Sequence, residues 1–223
     1  MPQIEISVPE SALGPTRRAE KYHPLKIILL QGNLLAERVD AIVNPANESL
    51  LGGGGLDGMI HGFAGPELLK ECETLNGCET GNAKITKGYR LPASHVIHAV
   101  GPIYPDRPTD RYSEYFTEYL KASPTRRQEI EQLFQKDVEK ARELLLSVHK
   151  NILRVAQENG LKRISIPAIS TGIFGYPTED ASKVAHQAVF EYLRDYGEGS
   201  LEEIRFVLYE TEKYNLYEKA FSS

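Results

Sequence analysis

Short apolar runs alternate along the chain with longer stretches in which apolar residues recur every three or four positions. A continuous branched apolar run predicts a buried strand, and the longer period predicts a helix. Six strands are predicted, at 4–8, 25–30, 39–43, 94–100, 163–167 and 203–209. Helices are predicted at 56–64, 66–75, 124–159, 178–197 and 213–221, and a loop rich in Gly and Asn at 74–84. This alternation indicates an α/β fold with helices on both faces of a mixed, mostly parallel sheet.

The longest helical stretch carries a stripe of apolar residues spaced alternately by four and three, from Phe134 to Val155. Such a stripe suits either the seam of a coiled coil or a helix that lies on a sheet. Strands are predicted on both sides of this helix, so packing on the sheet is the favoured interpretation. The preceding residues, 103–127, are rich in Tyr, Pro, Asp and Thr and are predicted to form an irregular insertion, either a solvated loop or a flap that selects substrates.

The length of 223 residues favours a single domain, with residues 25–223 forming its body and residues 1–24 an N-terminal extension packed on or beside it. The net charge of -5 does not favour binding of duplex nucleic acid through its phosphates. A small phosphorylated ligand held by backbone amides needs no basic face. No membrane span or targeting segment is recognised, so a cytoplasmic or nuclear location is expected.

Only two cysteines are present, Cys72 and Cys78, and they lack the spacing of a metal-binding pair. Both are expected to be reduced. No cluster of metal ligands is evident in the sequence, so neither a metal nor a cofactor is expected.

Four consecutive glycines, 52–55, follow the third predicted strand. Glycine loses more backbone entropy on folding than any other residue, so an ordered run of glycines indicates a tight turn or close approach to a ligand. Two amides, Asn44 and Asn47, precede the run, and Asp57 and His61 follow it. Taken singly, Asn44 suits a cap at the strand end, Asp57 suits the first turn of a helix, and His61 suits an ordinary helix position. The glycines favour an active site instead.

A second glycine-bearing loop, 170–176, follows the fifth predicted strand. Loops that leave the carboxyl ends of parallel strands meet at one edge of the sheet, which is where α/β proteins bind ligands. Gly172 and Gly175 allow successive N–H groups to point the same way and form an anion nest. Two such loops suit a diphosphate. Neither a nucleoside-triphosphatase P-loop nor the glycine fingerprint of dinucleotide-binding dehydrogenases is present.

The motifs at 44–47 and 51–61 resemble those of the macrodomains, specifically the MacroD-type hydrolase branch. The resemblance continues at 81–92, 98–102 and 167–177 and covers residues 25–221 apart from the insertion. It implies a three-layer α/β/α fold with a pocket for ADP-ribose. By position, Asn47 would hold the distal ribose, Asp57 would orient or activate the attacking water, and His61 would support them. The resemblance assigns ADP-ribose binding to Asn33, Leu34, Asn44, Gly53, Gly54, Gly55, Ser170, Thr171, Gly172, Ile173, Phe174, Gly175, Tyr176 and Tyr209.

The expected activity is hydrolysis of mono-ADP-ribose from Asp and Glu esters of proteins, together with deacetylation of O-acetyl-ADP-ribose. Two alternatives remain open: a non-catalytic module that reads ADP-ribose, and an ADP-ribose-1''-phosphate phosphatase. The expected partners are mono-ADP-ribosylated proteins, with ADP-ribosylated nucleic-acid ends as a further candidate, and the chain is expected to act as a monomer. One residue departs from the family pattern: many relatives have Asp where this chain has Asn33, and looser adenine binding is expected from the missing charge.

Overall fold

A seven-stranded mixed sheet forms the centre of the protein in a computed structural model that describes residues 2–8, 25–111 and 113–222. The strand order is β1-β2-β7-β6-β3-β5-β4. The five inner strands run parallel, and the edge strands β1 and β4 are antiparallel to their neighbours. The strands are β1 (Gln3–Ser7), β2 (Lys26–Gln31), β3 (Ala41–Ala46), β4 (Ala83–Lys87), β5 (His95–Val100), β6 (Arg163–Ile166) and β7 (Glu203–Leu208).

Six of these strands match the predicted ones, and β4 is additional. It begins within the stretch predicted as a loop. An edge strand pairs on one side only and needs few apolar residues, so Ala83 and Ile85 gave too weak a signal. The charged side chain of Lys84 contributes to the turn before the strand: its Nζ donates hydrogen bonds to the carbonyl oxygens of Leu75 and Gly77, at 2.7 and 2.6 Å.

Helices cover both faces of the sheet, as predicted. They are α1 (Gly55–Ala64), α2 (Pro66–Thr74), α3 (Phe116–Lys121), α4 (Pro124–Glu158), α5 (Thr178–Tyr196) and α6 (Thr211–Phe221). Alternate residues of β3 point to opposite faces: Ala41 and Val43 join the core under α4, α5 and α6, whereas Ile42 joins the core under α1 and α2. Among the described residues, no helix is both long enough and apolar enough to cross a membrane.

Helix α4 lies on the sheet, which confirms the favoured interpretation of its apolar stripe. Its residues Leu145, Val148 and Ile152 are fully buried in the core shared with α5 and the strands. The helix begins at Pro124, so the last residues of the predicted insertion belong to it. The rest of the insertion is irregular apart from the short helix α3. Of the predicted extension, residues 3–7 form β1, and residues 9–24 lie outside the described part of the chain.

Two buried histidines make the stability of the fold depend on pH. Burial lowers the pKa of His98 in β5 to about 3 and that of His149 in α4 to about 4. In the unfolded chain both titrate near pH 6.5, so below that value the unfolded state binds protons that the folded state does not. The folded state is therefore most stable, with respect to these two groups, above pH 6.5, and this stability is lost as the pH falls toward 4. We expect the free energy of unfolding to fall by about 1.4 kcal/mol per histidine for each pH unit in this window.

Urea unfolding between about pH 7.5 and pH 5 measures this dependence. The His149→Gln variant, which removes one of the two groups, should show about half the slope. A wild-type free energy of unfolding that stays flat across this range would contradict the expectation.

Candidate functional site

A cleft of about 860 Å³ opens at the edge of the sheet where the inner strands end. Its walls are the segments that follow β2, β3, β5, β6 and β7, together with α1 as far as Phe63. The predicted site residues that line it are Asn33, Leu34, Asn47, Gly53, Gly54, Gly55, Asp57, Ser170, Thr171, Gly172, Ile173, Phe174 and Tyr209. The structure thus brings together the two glycine-bearing loops that the sequence places more than a hundred residues apart.

Four other predicted residues lie behind the lining rather than in it: Asn44, His61, Gly175 and Tyr176. Tyr176 is buried, and its ring meets that of Tyr104 edge-on with the centroids 4.9 Å apart. The N–H of Gly175 donates to the carbonyl oxygen of Gly172 at 2.9 Å. These two residues therefore shape the loop, and residues 172–174 line the cleft.

Asn47 organises the turn between β3 and α1. Its Oδ1 accepts hydrogen bonds from the N–H and the hydroxyl of Ser49, at 3.0 and 2.6 Å, and its Nδ2 donates to the carbonyl oxygen of Gly52 at 2.9 Å. The second hydrogen of Nδ2 has no partner among the described residues. Because Asn47 lines the cleft, this hydrogen is available to a ligand oxygen.

Asp57 occupies the first turn of α1 and is almost completely buried. Its Oδ1 accepts a hydrogen bond from Asn44 Nδ2 at 2.7 Å. Its Oδ2 accepts none from the described residues and lies beside the backbone of Gly53, where a Cβ atom would be only 3.0 Å away. One carboxylate oxygen is thus held by the protein and the other is free to bind a water molecule in the cleft.

Asn44 itself is fully buried within β3, where its side chain supports Asp57. Its Nδ2 also donates to His98 Nδ1 at 3.1 Å. His98 is its paired neighbour in the parallel register of β3 and β5. The other ring nitrogen of His98 lies 2.9 Å from the hydroxyl oxygen of Thr86 in β4. His98 is therefore connected to the candidate active site through Asn44.

His61 lies one helical turn beyond Asp57, as its spacing predicts. Its Nε2 is 3.6 Å from Asp57 Oδ1, which is too long for a hydrogen bond, and it has no partner among the described residues. The His61 ring also packs against the glycine run, since a Cβ atom added at Gly52 would lie 3.4 Å from its Cγ atom. His61 therefore packs between the glycines and the carboxylate.

Three side chains that could ligate a metal ion meet behind Asp57, although the sequence had shown no such cluster. The ligand atoms of His61, Cys72 and His98 all lie within 4.8 Å of one another. The protonation of Cys72 and the hydrogen bonding of His98 both disfavour binding of a metal ion. Burial raises the pKa of the Cys72 thiol to about 11, which disfavours the thiolate that a metal needs. The nitrogen of His98 that faces Cys72 at 3.6 Å is already bonded to Thr86.

Two sets of backbone N–H groups belong to residues that line the cleft and could hold an anion. The first-turn amides of α1 have no partner within the helix, and the helix dipole adds positive potential there. Opposite them, the amides of Gly172, Ile173 and Phe174 donate to no described residue. The close packing of the α1 wall depends on Gly58, where a Cβ atom would lie 2.4 Å from the carbonyl oxygen of Gly53.

Exposed apolar and aromatic side chains line the cleft. Tyr209 is 80% exposed there, and the exposed side chains of Met59 and Phe63 line the same cleft from α1. Met59 and Phe63 were not predicted as site residues, although their spacing of four on one helix face was a usable signal. Asn33 Oδ1 accepts a hydrogen bond from the N–H of Leu35 at 3.0 Å and caps a short 3-10 turn.

The sequence profile of the macro domain matches residues 43–132 and 129–185 of this chain. The chain belongs to the macrodomain family, as its motifs indicated.

A macro domain-containing protein of Chlorobaculum tepidum is 41% identical over 87% of this chain and 94% of its own length. The ADP-ribose glycohydrolase MACROD1 of Rattus norvegicus is 42% identical over 82% of this chain and 60% of its own length. Among solved structures, a Trypanosoma brucei macrodomain in complex with ADP-ribose aligns with a TM-score of 0.67 and 35% identity, over 96% of this chain and 78% of that one.

Proposed function

We propose that this macrodomain hydrolyses ADP-ribosyl esters, releasing ADP-ribose from Asp and Glu side chains of proteins and acetate from O-acetyl-ADP-ribose. The observation that carries the proposal is the state of Asp57. It is a buried carboxylate with one oxygen fixed by Asn44 and the other free beside a cleft of ligand size. A protein that only bound ADP-ribose would need the amide-lined walls but no carboxylate held in this way.

In this proposal the nucleotide lies along the cleft. Its adenine packs against the exposed ring of Tyr209, and its diphosphate lies between the first turn of α1 and the amides of 172–174. The distal ribose then lies at the Asn47 and Asp57 end. Contacts to the ADP part, far from the bond that breaks, supply the binding energy that orients the reacting carbon.

The chemistry follows from the free oxygen of Asp57. A water molecule bound to Oδ2 attacks the anomeric carbon of the distal ribose, and the bond from that carbon to the ester oxygen breaks. The carboxylate of the modified side chain leaves with the electron pair, and Asp57 takes the proton of the water. For O-acetyl-ADP-ribose the same water attacks the acetyl carbonyl carbon and gives its proton to Asp57. The bond from that carbon to the ribose oxygen then breaks, and the ribose oxygen leaves with the electron pair and takes the proton back from Asp57, so that acetate is released.

Two substrates that differ only in the linked side chain test this proposal. We expect the protein to release ADP-ribose from a glutamate-linked peptide and to leave a serine-linked peptide intact. A glutamate carboxylate is a good leaving group, since its conjugate acid has a pKa of about 4.3, whereas a serine alkoxide is a far stronger base. Release is measured under single-turnover conditions by mass spectrometry.

Other outcomes favour the alternative functions. Tight binding of ADP-ribose without release from either peptide would indicate a reader module. Turnover of ADP-ribose-1''-phosphate that exceeds turnover of the glutamate-linked peptide would indicate a phosphatase.

A further inference from the structure

His98 is the most deeply buried polar group near the cleft that the proposed reaction does not use. It is fully buried on β5, and it does not line the cleft. A buried imidazole is costly unless both ring nitrogens are satisfied, and both are: Nδ1 by Asn44 and Nε2 by Thr86.

The hydrogen bonds around His98 determine which of its ring nitrogens carries the proton. The hydroxyl of Thr86 donates to the carbonyl oxygen of Lys87 at 3.2 Å, so its oxygen accepts from the protonated Nε2 of His98. That leaves an unprotonated Nδ1, which accepts from Asn44. The ring is therefore held in a single tautomer by its two neighbours.

The orientation of the Asn44 amide follows from both of its partners. Its Nδ2 carries two hydrogens, of which one goes to His98 and the other to Asp57 Oδ1. The reversed amide would place its carbonyl oxygen 2.7 Å from the Asp57 carboxylate and would lose both bonds. Asn44 keeps this orientation although its Oδ1 has no partner among the described residues.

We propose that His98 is a positioning residue for the hydrolysis: its Nδ1 fixes the amide of Asn44, which holds Asp57 Oδ1 and leaves Oδ2 facing the cleft. The inference rests on the proposed function, because it assigns His98 a part in that reaction. It also makes a claim independent of activity, namely that the ring remains neutral and protonated at Nε2.

The surroundings of His98 keep it neutral. Burial and then the neighbouring His61 lower its pKa to about 3. The other groups that face the ring are Cys72, whose thiol stays protonated, and the uncharged side chains of Asn44 and Thr86. A protonated ring would carry a hydrogen on Nδ1 and would displace the Asn44 amide.

Two substitutions by amide side chains distinguish the roles of the two ring nitrogens of His98. In His98→Asn, the side-chain oxygen can take the place of Nδ1 and accept from Asn44. In His98→Gln, the amide reaches the place of Nε2 and leaves Asn44 without its acceptor. We expect His98→Asn to retain about one third of the wild-type kcat and the kcat of His98→Gln to be about 30-fold below wild type. The KM of both variants should stay within about threefold of the wild-type value. His149→Gln, the same change at a buried histidine far from the cleft, is the control and should keep the wild-type kcat.

Several results would overturn the inference. Equal kcat values for His98→Asn and His98→Gln, with wild-type thermal unfolding, would show that the acceptor at Nδ1 does not matter. A loss of kcat accompanied by an equal loss of ADP-ribose affinity would show a general structural role. Binding of one Zn²⁺ that requires both Cys72 and His98 would show that the cluster is a metal site.

Nitrogen NMR of the wild-type protein tests the hydrogen bonds without reference to activity. We expect the His98 ring to be protonated only at Nε2 from about pH 8 down to about pH 5, and a ring that titrates in this range contradicts the inference. The two proposals can also fail separately. A wild-type protein inactive on the glutamate-linked peptide overturns the proposed function, whereas an active one with equal His98 variants overturns only the role of His98.

Discussion

Replacing Asp57 by asparagine should lower kcat on a glutamate-linked substrate by at least about 100-fold and leave the Kd for ADP-ribose within about threefold. An asparagine oxygen can still accept the hydrogen bond that Asn44 now gives to Asp57 Oδ1, so the local structure is kept. The variant loses the charge on Oδ2 and with it the group that takes the proton of the attacking water. Single-turnover rates and calorimetric titration with ADP-ribose measure the two quantities.

The control for Asp57 is another carboxylate at the same position of a helix. Asp180 lies in the first turn of α5, as Asp57 does in α1. Unlike Asp57 it is exposed, and its Oδ1 lies 3.8 Å from Lys183 Nζ. Asp180→Asn should leave kcat unchanged. If Asp57→Asn kept the wild-type rate as well, Asp57 would be only a favourable charge near the positive end of a helix dipole.

Replacing Gly58 by alanine should disrupt the cleft wall. The new Cβ atom would lie 2.4 Å from the carbonyl oxygen of Gly53. The oxygen belongs to the backbone and the Cβ position is set by the backbone, so no side-chain rotation relieves the clash. We expect a loss of about 1–3 kcal/mol in the free energy of unfolding from this overpacking. The glycine run must also move, so ADP-ribose affinity should fall by more than about tenfold. Chemical denaturation and calorimetric titration provide the measurements.

Gly62, four residues further along the same helix, is the matched control. A Cβ atom there would meet no other atom within 4 Å, and its φ is not in the left-handed region. Gly62→Ala should therefore raise the free energy of unfolding by about 0.5–1 kcal/mol through helix propensity and leave binding intact. Similar stabilities and affinities for the two variants would show that the approach of Gly58 to Gly53 is not tight in solution.

Much of this architecture follows from local sequence signals. The buried strands, the long helix on the sheet and the meeting of two glycine-bearing loops follow from apolar periodicity and from the topology of parallel sheets. The family motifs add the candidate role of Asp57. The edge strand β4 gave no comparable signal, because its polar residues suit a loop as well as an exposed edge.

The connection from Asn44 to His98 could not be predicted in the same way. The two residues are 54 positions apart, and they meet because Asn44 pairs with His98 across β3 and β5. A shift of this register by one residue would turn one of the two side chains to the opposite face of the sheet. Register depends on how the whole sheet packs, so the sequence places His98 in a predicted strand without indicating what it supports.

The cleft is assembled from segments that lie far apart in the chain. One wall comes from residues 32–63 and the other from residues 167–213, and the strands between them hold the two walls at their spacing. A fragment that carries both walls must span residues 32–213, so ligand affinity belongs to the folded domain as a unit. A ligand that binds there stabilises every strand of the sheet together, by about 2.7 kcal/mol when its concentration is a hundred times its Kd. The folding equilibrium of this protein is thereby linked to the supply of its own ligand.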